Sequence, residues 1–104
     1  MGLLRDYQGT PIRLTNERLN HILEHPEMAG LEGAIGETLL RPEKVLGSLT
    51  DPDAHLYYRL YTATLVGEKY LCIVVKFSHK DAFVVTAYLT DKIKAGALLW
   101  PKEM

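Results

Sequence analysis

Residues 69–77 read Lys-Tyr-Leu-Cys-Ile-Val-Val-Lys-Phe. The stretch Leu71-Cys72-Ile73-Val74-Val75 is an unbroken apolar run of strand length, as expected for a strand covered on both faces. Before it, Val66-Gly67-Glu68 has the chemistry of a hairpin connection. The segment His55–Leu65, rich in tyrosine, leucine and threonine, then reads as the preceding strand. After it, Ser78-His79-Lys80-Asp81 reads as a turn and Ala82–Leu89 as the last clear strand. Strands joined by tight turns predict an antiparallel sheet in the C-terminal half.

The N-terminal half carries helical signals. Thr15 is a good N-cap for a helix starting at Asn16, and Glu17 places negative charge in its first turn. Leu19, Ile22 and Leu23 fall on one face, and His25-Pro26 ends the helix, since proline disfavours helical geometry in the residue before it. A weaker helix spans Leu31 to Arg41, with Gly33 and Gly36 lowering its propensity and Pro42 closing it. Val45–Leu49 reads as a short strand, followed by a turn at Thr50-Asp51-Pro52-Asp53. Residues 1–13 look like an arm or short strand with a turn at Gly9-Thr10-Pro11, residues 90–96 allow one helical turn, and Trp100-Pro101 seals an edge. Helices first and strands later predict an α+β fold: N-terminal helices packed on a four- to five-stranded antiparallel sheet, as one domain over residues 1–104.

The net charge is −1, so no global attraction to nucleic acid follows, and any polyanion would need a local basic site. One cysteine, Cys72, excludes an internal disulfide, and its place in the apolar run predicts a buried, inert thiol. The first residues lack the pattern of a signal peptide. No stretch approaches the roughly 20 apolar residues of a membrane span. A cytoplasmic protein with no membrane partner is expected.

Three constellations bear chemistry. His21-Ile22-Leu23-Glu24-His25 has the letters of an inverted zinc-protease motif, but a third ligand and a large cleft are hard to supply in a chain this short, and Pro26 disturbs the helix. No metal or cofactor is expected. Arg18, His21 and His25 do form a polar stripe at helical spacing, and histidines can move protons near neutral pH. The alternative is a solvated helix face. Tyr57, Arg59 and Tyr61 share one strand face, where Arg59 is satisfied by a phosphate, by an ordinary ion pair to Glu or Asp, or by solvent on an open face. If the last two strands pair through the turn at 78–81, Lys76 approaches Thr86 and Tyr88, which lie on the face opposite Phe83, Val85 and Ala87. The alternative there is a solvated lysine beside two β-favouring residues. Asp91, Lys92 and Lys94 read as a charged surface turn.

Taken together, residues 14–28 (Leu-Thr-Asn-Glu-Arg-Leu-Asn-His-Ile-Leu-Glu-His-Pro-Glu-Met), 37–45, Tyr57-Tyr58-Arg59, 69–76 and Val84-Val-Thr-Ala-Tyr88 resemble the phage-associated branch of the barnase–EndoU–colicin–RelE nuclease superfamily. The resemblance spans roughly residues 12–102. It implies metal-independent RNA cleavage through the 2′-hydroxyl, in the manner of a toxin held in check by an antitoxin protein. By position, His21 and His25 match helix histidines of that branch, Arg59 its strand arginine, and Lys76 and Thr86 polar positions of its last strands. The histidines would serve as acid and base, Arg59 and Lys76 would stabilise the transition state, and Thr86 would position a phosphate oxygen. The mildly acidic chain favours a structured or ribosome-bound RNA over bulk RNA. The alternative is a non-catalytic protein-binding module on the same scaffold, using Tyr57, Tyr58 and Tyr61 as an interface.

Overall fold

A computed structural model describes residues 3–102; the outermost residues assigned above to the arm and to the 1–104 domain lie outside it. Seven strands form one sheet: β1 (Leu3–Arg5), β2 (Pro11–Arg13), β3 (Lys44–Gly47), β4 (Ala54–Thr64), β5 (Gly67–Ser78), β6 (Asp81–Thr90) and β7 (Ala97–Trp100), with two helices, α1 (Asn16–Leu23) and α2 (Glu32–Leu40). The order across the sheet is β1-β2-β6-β5-β4-β3-β7.

This corrects the expected fold class. The chain is mostly sheet, with 47% of residues in strands against 20% in helices. The sheet has seven strands where four or five were expected, and it is mixed because β2 runs parallel to β6. The N-terminal arm is a β1–β2 hairpin, β7 adds an outer strand against β3, and the helical turn expected at 90–96 is a loop.

The local reasons are visible. The Thr15 hydroxyl accepts the Arg18 amide and caps α1, and Leu19 and Ile22 are its buried residues. The 3-10 turn Pro26–Met28 follows at once, as the His25-Pro26 break requires. β4, β5 and β6 form long hairpins through tight turns. Leu71, Cys72 and Ile73 are fully buried because both faces of β5 are covered. On one face, Leu71, Ile73 and Val75 join Tyr57, Val84 and Ala87 beneath Leu19, Ile22, Ile35 and Leu39 of the helices. On the other, Cys72 joins Leu46, Leu56 and Tyr58 in a smaller apolar patch.

The sheet curls around its helical face. Tyr7, just after β1, packs against Trp100 of β7 with ring centroids 5.3 Å apart and against Tyr57 at 6.2 Å. The two margins therefore meet across the interior. Beneath this seam Asp6, 1% exposed, accepts the Gln8 and Thr10 amides and the Tyr57 hydroxyl.

Candidate functional site

The helix-free face of the sheet carries a cleft of about 550 Å3. Its floor is Leu56 of β4, Val74 of β5, and Val85 and Tyr88 of β6; its walls are the 48–54 turn on one side and Lys94 and Ala95 on the other. A bulge in β6 shapes the floor. Val74 pairs with Thr86 but Val75 with Val84, leaving Val85 as the extra residue. A bulged strand keeps two successive side chains on one side, so Val85 and Thr86 both line the cleft while Val84 and Ala87 both enter the helical core. Simple alternation had placed Val85 with Ala87, on the face away from Thr86.

Charge is arranged around this floor. Lys76 Nζ donates to Asp51 Oδ2, and that hydrogen bond holds the Asp51 carboxyl below its ordinary pKa. Asp51 is set by its own turn: its Oδ1 accepts the Asp53 amide, and Ser48 Oγ accepts the amides of Thr50 and Asp51. Lys94 belongs to a strap, residues 91–96, that crosses the helix-free face. Lys69 pairs with Asp91 at one end of the strap, and the Lys94 amide donates to Tyr58 Oη at 3.2 Å. Ile93 packs on the small apolar patch. Lys94 Nζ lies 5.7 Å from the Tyr88 ring centroid. Burial pushes the Tyr58 phenol up to about 12 and raises Tyr88 and the Cys72 thiol as well, so all three stay protonated at neutral pH. Cys72 is buried, as its sequence context predicts.

Of the five residues singled out in the sequence, the structure brings together two. Lys76 and Thr86 line the same cleft. Arg59 lies on the other, helical face between Tyr57 and Tyr61, where its Nη1 donates to the Arg41 carbonyl at 2.7 Å and its Nε lies 3.9 Å from Glu37. It ties down the C-terminal end of α2. His21, on the outside of α1, and His25, two residues past its end, are both exposed. His21 is 60% exposed, with Glu24 at 3.7 Å, because Leu19 and Ile22 take the inward face of this short helix. Tyr57 and Tyr58 are fully buried, so neither offers the protein-binding surface considered for them.

No family model, curated protein or solved structure matches the chain. Among the described residues, no group of three or more His, Cys, Asp or Glu side chains is placed to hold a metal ion, and no helix is long and apolar enough to cross a membrane.

Asp51 and Lys94 are the cleft residues that sequence reasoning left out of the chemistry. Asp51 was legible only as turn chemistry, and Lys94 only as part of a charged turn. Their meeting depends on which way the strap folds, which no short-range pattern encodes. A second hollow of about 500 Å3 lies beside β2 and the β5–β6 turn. There Arg13 is already paired with Asp81 at 2.7 Å, a bond that lowers the pKa of Asp81.

Proposed function

We propose that the cleft on the helix-free face binds the sugar–phosphate of RNA, and that the protein is a ribonuclease working there. The observation that carries this reading is the grouping of Lys76, Thr86, Lys94 and Asp51 around one cleft of about 550 Å3. That volume is within the ordinary range for small-ligand sites. The apolar floor suits a base, and two ammonium groups suit a phosphate.

The chemistry can be written with these residues alone. The ribose 2′-oxygen forms a bond to phosphorus and gives its proton to the Asp51 carboxylate. Lys76 and Lys94 stabilise the charge on the phosphoryl oxygens. The bond from phosphorus to the 5′-oxygen breaks, and the leaving oxygen takes a proton from a lysine ammonium. A carboxylate whose pKa is held down is a weak base, so this reading implies slow cleavage. The toxin-like role, the antitoxin partner and the cytoplasmic setting belong to the same proposal, the antitoxin being a protein that covers the cleft.

A second reading is binding without catalysis. It is favoured by the placement of His21 and His25 outside the cleft, which leaves the cleft lining without an imidazole.

The experiment is cleavage of single-stranded RNA by the purified protein in EDTA. Lys76→Ala or Lys94→Ala is expected to slow cleavage about 100-fold, while His21→Ala and His25→Ala leave it unchanged. RNA bound but left intact supports the second reading. Cleavage that is lost in the histidine variants and kept in the lysine variants overturns the cleft as its site.

A further inference from the structure

Among the described residues, the only buried side-chain oxygen or nitrogen without a hydrogen-bond partner is Tyr88 Oη. The Cys72 thiol interacts with it as a weak sulfur partner, but no oxygen or nitrogen of the described residues meets it in hydrogen-bonding geometry. An unpaired buried hydroxyl is costly, and folds rarely keep one without a use. This one belongs to a residue that lines the cleft.

The Lys94 ammonium sits over the Tyr88 ring, a contact of modest strength that an anion can outcompete. The backbone of Lys94 is held by the Tyr58 hydroxyl. The cation thus rests on the aromatic face with no carboxylate of the described residues among its hydrogen-bonding or ion-pair partners, whereas Lys76 is engaged by Asp51.

We infer that Tyr88 is a ligand-contacting residue of the cleft, its hydroxyl kept unpaired for an oxygen of the bound phosphodiester, with Lys94 leaving the ring to meet the ligand's charge. This rests on the cleft reading above and adds to it the group that recognises the ligand. Tyr88 is a donor in this role: burial keeps the phenol protonated, so it offers a proton to a phosphate oxygen and no repelling charge.

The test is titration of a 2′-O-methylated uridine–adenosine dinucleotide, which cannot undergo attack by its own 2′-oxygen, into wild type and Tyr88→Phe, followed by amide NMR, with Tm measured on both. Tyr88→Phe is expected to bind about tenfold more weakly, the worth of one hydrogen bond to a charged group. Its Tm should be unchanged or raised, since the variant removes an unsatisfied hydroxyl. The Lys94 amide should shift on titration of the wild type. Equal binding by the two proteins overturns the inference and leaves the cleft reading standing. A fall in Tm together with the loss of binding also overturns it, because the hydroxyl is then structural. No binding by the wild type overturns both.

Discussion

The phenol of Tyr57 donates to the carboxylate of Asp6 at 2.8 Å, a buried bond between residues 51 positions apart. It joins the centre of the sheet to the hairpin at its margin. Asp6 also accepts two amides of its own turn. Asp6→Ala is expected to cost about 2–4 kcal/mol, because it strands a buried phenol and two turn amides. Tyr57→Phe should cost about 1–2 kcal/mol, since the carboxylate keeps its amide donors. Chemical denaturation of the two variants measures both.

His55 is half-buried against Phe77, with ring centroids 4.3 Å apart, and burial lowers its pKa against a smaller opposing pull from Asp6. Below about pH 6.5 the unfolded chain takes up a proton that the folded chain declines. Stability should therefore fall as pH drops through that value, and His55→Gln should flatten Tm against pH there. Asp51 and Asp81 act lower on the scale. Their depressed pKa values contribute stability above the ordinary carboxylate value that is lost as pH falls through their folded values. Lys76→Met should reduce the Asp51 part of that acid dependence, leaving the share held by the Asp53 amide.

Gly96 has no room for a side chain. A Cβ there would sit 2.6 Å from the Gly47 carbonyl oxygen and 3.1 Å from Leu46 Cβ. Gly96→Ala must push the strap away from β3 and should cost about 1–3 kcal/mol. Gly33, within α2, has nothing within 4 Å of an added Cβ, so Gly33→Ala should stabilise by about 0.5–1 kcal/mol. Thermal unfolding of the two variants should move in opposite directions.

Arg59 separates a structural from a chemical role. Its guanidinium satisfies the Arg41 carbonyl past the end of α2. Arg59→Ala is expected to lose about 1 kcal/mol of stability with RNA binding unchanged. A loss of binding with stability intact would mean that RNA reaches the helical face.

The parts legible in the sequence are those with strong local chemistry. The Thr15 cap and the Pro26 stop bracket α1, and the Leu71–Val75 run marks β5. The β4–β5 and β5–β6 turns fall within a residue or two of where turn chemistry puts them. What was missed is long-range. Each of β1, β2 and β7 is three or four residues long, too short for a period to emerge, and β2 and β7 are placed by the edges that the distant strands β6 and β3 offer them. The bulge at Val85 defeats alternation for the same reason: it is set by pairing with β5, not by its neighbours in the chain. That Lys76 and Thr86 share one cleft was legible because they flank a hairpin. His21 and His25 lie away from the cleft, a placement that helical spacing leaves open, since it says which residues share a face but not whether that face meets the sheet or water.

Trp100 is the chain's single tryptophan, and it stands where the first and last strands of the sheet come together beside Tyr7. The protein therefore carries a built-in optical reporter. Emission excited selectively from the indole monitors the seam, and energy transfer from Tyr7 rises or falls with its closure. Fluorescence followed beside circular dichroism during unfolding can thus tell whether the seam parts before the sheet melts or only along with it.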